Sequence, residues 1–318
     1  MSEHYVTLFD SGFLPYALTL HASLVQHGGD FRLWAVCLDD LAVDALGRLG
    51  LPGVTAIPLR EVEAIDTRLP ATRPTRSQAE YCWTMTPFVF DAAFRRAPEA
   101  MRMTYVDVDV ALFAAPAVLF DELTASGKQV LITEHAFAKR YAHLAKRSGR
   151  FCVQFLTMTR ADSATTVRRW WQERCLEWCF DRYEPGRFGD QMYLDPWPGL
   201  FPEAVHILRR TDAAQAPWNR ERFGDADPVI YHFQGFRRVD AHSMLLFYGF
   251  TVPPRLRAPY VAYLQAFAQA LSTLRRTGLE PPFNRYHWAK LLKARWLLAP
   301  LGQAAFARLP PVDACASS

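Results

Sequence analysis

Apolar and polar positions exchange two periods along the first half of the chain. Residues 4–9 (HYVTLF) form a short, nearly continuous apolar run, which predicts a buried strand. Over 14–26 the period lengthens: Leu14, Leu18, Ala22 and Val25 recur at helical spacing. The exchange then repeats, with strand-like 31–38, helix-like 41–49 and strand-like 54–57. Residues 77–94 read as a helix in which Pro87 is expected to cause a kink or restart, because proline lacks the amide hydrogen and crowds the preceding turn. Residues 103–113 (MTYVDVDVALF) read as one strand running into two aspartates. The second half is less regular. Strands are expected at 129–133, 151–158 and 229–233, and helices over 162–180, 260–274 and about 286–298.

Strands that alternate with helices predict an α/β fold, a mostly parallel sheet covered on both faces. The 318 residues suffice for one large core. The expected division is a sheet domain over 1–245 and a C-terminal helical extension over 246–318 packed on it. Ligands of such sheets sit beyond the carboxyl ends of the strands. Asp10, Asp39, Asp40, Asp107 and Asp109 all fall at such ends.

Composition narrows the field. A net charge of +4 is small and dispersed, unlike a nucleic-acid-coating protein. The six cysteines form no C-x-x-C pair. Cys175 and Cys179 share a helix face without further ligands, so free thiols in a reducing compartment are expected. Nothing resembles a cleaved leader, and no run of about 20 apolar residues exists that could span a bilayer. A cytoplasmic location is the expectation. The motifs of P-loops, dinucleotide-binding Rossmann folds, nucleophile elbows and zincins are absent.

Asp107 and Asp109 are two apart, so in a regular strand they would share a face. Two carboxylates so placed repel each other and favour a hard divalent cation. Mg²⁺ and Mn²⁺ commonly complete their shells with substrate phosphates.

Four segments occur in order: VTLFD (6–10), YVDVDV (105–110), FGDQMYL (188–194) and YHFQGFR (231–237). With them the chain resembles the GT-A glycosyltransferases, most closely those like glycosyltransferase family 8, in a bacterial branch. The resemblance implies a Rossmann-like sheet flanked by helices and transfer from a nucleotide-diphosphate sugar with retention. The acceptor would be a glycan, a lipid-linked molecule or a small molecule. By the same resemblance Asp107, Asp109 and His232 bind Mn²⁺ or Mg²⁺, and Asp107 also touches the ribose. Gly235 and Arg237 receive the diphosphate, with arginine where the family commonly has lysine. Thr7 and Asp10 lie near the base or ribose, and Asp190 and Gln191 near the anomeric carbon. Arg73 or Arg76 is the nearest match to an arginine that the family presents to the donor. Cys152 and Gln154 stand where the family often has Asn-x-Gly.

Two alternatives follow from particular residues. TYVDVDVALF and GDQMYLD resemble the first and fourth motifs of a haloacid-dehalogenase-type phosphatase, although no apolar strand precedes the latter. The changes at Cys152 and Gln154 suit a catalytically impaired nucleotide-sugar-binding protein. The basic stretch 139–150 is expected to be a solvated loop or a cover for the donor. Residues 285–301 mix Trp and Leu with Lys and Arg, and are expected either to pack on the domain or to make peripheral membrane contact. Trp218 is expected in a cleft, Trp170 and Trp171 in the core.

Overall fold

The structure is a computed structural model and describes residues 2–280 and 288–311. Cys315 and the expected helical start at 286–287 lie outside the described residues. The strands are β1 (Glu3–Phe9), β2 (Phe31–Cys37), β3 (Val54–Pro58), β4 (Arg102–Val106), β5 (Val110–Leu112), β6 (Val130–Glu134), β7 (Phe151–Thr159), β8 (Val205–Ile207), β9 (Ala214–Gln215), β10 (Ile230–His232), β11 (Arg237–Arg238), β12 (Ser243–Tyr248) and β13 (Ala304–Arg308). The longer helices are α1 (Leu14–His27), α2 (Asp40–Leu49), α3 (Gln78–Arg96), α4 (Ala117–Ser126), α5 (Asp162–Glu177) and α6 (Ala258–Arg276).

The main sheet has the order β3-β2-β1-β4-β7-β6-β8. All neighbours pair in parallel except at β7, which runs antiparallel to both β4 and β6. Both faces are covered, which explains why β1 shows no polar alternation. Val6 and Leu8 face α3 and α5 in one core cluster, whereas Tyr5 joins Leu20, Leu119 and Phe120 in another.

Helix boundaries follow local chemistry. Ser77 and Glu80 form a reciprocal capping box that starts α3. Contrary to expectation, α3 continues through Pro87. Its core-facing residues Met85, Phe88 and Phe90 are fully buried, at about 1.5–3 kcal/mol each. That outweighs a local cost of about 3 kcal/mol for an interior proline.

The expected strand 103–113 is in fact two. β4 belongs to the main sheet, while β5 leaves it to join a small sheet of order β5-β10-β9. The aspartates lie in the turn between.

A third core cluster joins α1 and α2 to α6. Phe233 stacks on Tyr263 with centroids 3.7 Å apart, and Phe236 meets Phe267 at 5.2 Å. β12 pairs with β11 and β13, so residues 243–248 bridge toward the C-terminal segment. No helix among the described residues is long and apolar enough to cross a membrane.

Candidate metal centre

β4 ends at Val106, and the Val110 amide donates to the Asp107 carbonyl at 3.0 Å, closing a turn. This corrects the expectation from strand alternation: a turn, not a shared strand face, gathers the two carboxylates. β5 then pairs antiparallel with β10, with His232 opposite Val110. The Phe233 amide donates to the Asp109 carbonyl at 2.8 Å. Two sequence-distant segments are thereby held in register at one corner. His232 Nε2 lies 3.1 Å from Asp109 Oδ1 and 3.7 Å from Asp107 Oδ2. One ligand atom from each of the three residues lies within 4.8 Å of the others. Two carboxylates and an imidazole suit Mn²⁺ or Mg²⁺ that also keeps phosphate or water oxygens.

The surrounding residues fix this trio. Tyr105 donates its hydroxyl to Asp107 Oδ1 at 2.7 Å. Gln154 on β7 acts on both halves. Its backbone carbonyl accepts from the Asp107 amide at 3.1 Å, and its Oε1 lies 2.9 Å from His232 Nδ1. A carbonyl oxygen only accepts, so Nδ1 carries hydrogen and Nε2 is the nitrogen left for a cation. Gln154 Nε2 is buried without a partner among the described residues. Arg237 Nη1 lies 3.6 Å from Asp109 Oδ2, and the Trp218 ring meets the His232 ring edge to face at 5.4 Å. Trp218 is thus beside the centre but buried.

Electrostatics distinguish the carboxylates. Burial and the Asp109 charge raise Asp107, while His232 opposes them. Burial also pushes Asp109 up, but His232 and Arg237 prevail and hold it at about 2. Burial alone would lower His232, yet Asp109 lifts it well above its ordinary value. A cation at Nε2 would compete with that proton.

Asp190 is buried, and burial followed by the Asp107 charge pushes its carboxyl up to about 8, against a hydrogen bond from Thr86. The Trp171 indole donates to the Asp190 carbonyl at 2.9 Å. Gln191 donates to the Ser148 carbonyl at 2.7 Å, which ties it to the basic stretch 139–150. That stretch is short helical turns anchored through Tyr141, whose hydroxyl accepts from the Thr251 amide at 2.7 Å. Cys152 is buried among these groups. Burial raises its thiol, but His135 and His232 outweigh that and bring it to about 7. Among the described residues Ala136, beside His135, is the non-glycine residue with positive φ, at 46°, where backbone strain is stored.

The other sequence candidates lie outside the trio, each with its own local contacts. Asp10 accepts from the Gly12 amide at 3.0 Å and from Gln78 Nε2 at 2.6 Å. Asp39 caps α2 through the Ala42 amide at 2.8 Å and also receives both Ser11 donors. Thr7 is fully buried with no hydroxyl partner among the described residues. Gly235 has φ +83°, and a Cβ there would meet the Tyr248 amide nitrogen at 3.3 Å. Arg76 is engaged with the Cys175 and Leu176 carbonyls at 2.7 and 2.9 Å, and Arg73 with Glu63. A cavity of 560 Å³ lined by Lys128, Glu134, Arg150, His206 and Arg209 shares none of the metal-centre residues.

Gln154, Thr86 and His135 were not assigned roles from the sequence. Thr86 and Gln154 meet partners far along the chain; the sequence marks Gln154 only by its place where the family often has Asn-x-Gly and as a polar residue inside the buried run of β7.

No protein-family model matches the chain. It is 30% identical over 305 residues to the uncharacterized protein YfnF of Bacillus subtilis strain 168, across 90% of this chain and 98% of that one. It is 27% identical over 276 residues to YfnD of the same organism, across 82% and 87%. Among solved structures, the glycosyltransferase GlyE of Streptococcus pneumoniae TIGR4 superposes with a TM-score of 0.50 at 14% identity, across 90% of this chain and 67% of GlyE. The fold is that of the GT-A glycosyltransferases.

Proposed function

The chain belongs to the family of YfnF, and from that premise we propose that it is a metal-dependent glycosyltransferase using a nucleotide-diphosphate sugar. The observation that carries this reading is the convergence of Asp107, Asp109 and His232 at the carboxyl end of β4. Asp107, Asp109 and His232 would hold Mn²⁺ or Mg²⁺. When bound, the ion neutralises charge that builds on the departing diphosphate. Arg237 adds a positive group beside Asp109 for the same phosphates. Gly235 allows the turn that carries Arg237 past the centre.

Asp190 and Gln191 hold the hydroxyls of the donor sugar. Thr7 and Asp10 belong to the nucleotide side, with Gln78 steadying Asp10. Transfer proceeds with retention. The acceptor hydroxyl forms its bond to the anomeric carbon on the face that the diphosphate leaves. The broken bond's electron pair departs with the diphosphate, and a phosphate oxygen takes the acceptor proton. The 1–245 portion carries the chemistry, and the remainder supports it through α6.

Incubation with a panel of nucleotide sugars and Mn²⁺ tests the reading. The expected result is release of the nucleoside diphosphate from one donor class, abolished by Asp109→Asn. Donor binding without release would instead support the nucleotide-sugar-binding alternative suggested by Cys152 and Gln154. Neither binding nor release from any donor would contradict both.

A further inference from the structure

Residues 288–298 are helical, and among the described residues one side of them packs on the strands. Ala294 and Leu298 are buried with Leu245 of β12 and Ala304 of β13. The outer side exposes Trp288 (70%) and Trp296 (74%), together with Leu292, Leu297 and, just beyond, Leu301. The other seven of the nine tryptophans are buried or half-buried. Five exposed large apolar side chains within one short segment mark an interaction site. Lys290, Lys293 and Arg295 are exposed among these apolar side chains. No acidic residue occurs between Glu280 and Asp313, whereas Arg285, Lys290, Lys293, Arg295 and Arg308 all do.

We propose that the 288–301 surface docks the chain onto an anionic lipid bilayer. Tryptophan rings favour the boundary between headgroups and acyl chains. Leucines enter the apolar side of that boundary, and the interleaved cations meet anionic headgroups. A protein partner fits less well, because interface cores are depleted of lysine. The helix is too short to span a bilayer, so it lies in the interfacial plane.

The placement has a functional consequence. β12 pairs with β11, which carries Arg237. Docking therefore holds the sheet that carries Arg237 at the bilayer, where a lipid-linked acceptor would be met. That consequence rests on the transferase reading, whereas the docking itself does not.

The test is sedimentation of the full chain with vesicles of phosphatidylcholine, with and without phosphatidylglycerol, in the absence of donor and metal. Binding is expected only with phosphatidylglycerol and should weaken with added salt. Trp288→Ser with Trp296→Ser should weaken it at least ~10-fold. Lys293→Glu with Arg295→Glu should remove the lipid preference. Unchanged melting temperatures would confirm that these variants fold. Absence of binding to phosphatidylglycerol vesicles, or equal binding by the tryptophan variant, overturns the proposal. So does a dimer in light scattering that the tryptophan substitutions dissociate, since a second copy would then cover the face. Because no donor is present, failure here leaves the donor-release experiment free to succeed or fail separately.

Discussion

Gln154 illustrates how one residue joins two distant parts of a site. It holds the Asp107 backbone from one side and His232 Nδ1 from the other. Gln154→Leu should lower Mn²⁺ affinity by about 10–100-fold, the usual cost of losing a residue that orients a metal ligand. Gln154→Glu, which still accepts from Nδ1, should restore it. Titration followed by the spectroscopic signal of free Mn²⁺ reads both, independently of turnover. Asp190 supplies a pH signature. Its folded-state value of about 8 lies above the ordinary 3.8, so the folded state retains a proton that the unfolded chain loses. The stabilising contribution is complete below the ordinary value and is lost as pH rises toward about 8. Asp190→Asn should therefore gain melting temperature relative to the parent between pH 5 and pH 8, measured in chelator. At this scale the clustering of Asp107, Asp109 and His232 was legible, because they sit in recognisable segments. Their supporting residues were not, since Gln154 and His232 are separated by 78 positions.

Elements were legible where one period persists. α1, α2, β2 and β7 lie close to where apolar spacing placed them. The failures have physical causes. An apolar run does not reveal that it crosses between sheets, so β4 and β5 read as one strand. The two-residue strand β9 is too short to show any period, whereas β10 falls inside the expected strand 229–233. Pro87 was tolerated because tertiary burial outweighed its local cost. Gly235 tests the backbone requirement of the turn after β10. Its φ of +83° and the close Tyr248 amide predict that Gly235→Ala costs about 1–3 kcal/mol, read from urea unfolding.

For the whole molecule, α6 is what holds the 233–236 segment against α1. Phe267 touches Tyr16 and Phe236 at centroid distances of 4.9 and 5.2 Å. Phe267→Ala should cost about 3–5 kcal/mol of unfolding free energy, and should weaken cation binding as the 232–237 segment loosens. The class of fold, a parallel sheet with helices on both faces, followed from the alternation of strands and helices. The joint between α6 and α1 did not, because it depends on aromatic packing across more than two hundred residues.

The central claim is that Asp107, Asp109 and His232 bind a cation shared with a nucleoside diphosphate. The most direct measurement is the melting temperature of the protein with each nucleoside diphosphate, with and without Mn²⁺. One base class should raise it only when Mn²⁺ is present, by a stabilisation of about 2.7 kcal/mol at a hundredfold excess over Kd. The rise should vanish in Asp109→Asn. No shift with any diphosphate and Mn²⁺, or an equal shift in Asp109→Asn, would contradict the account.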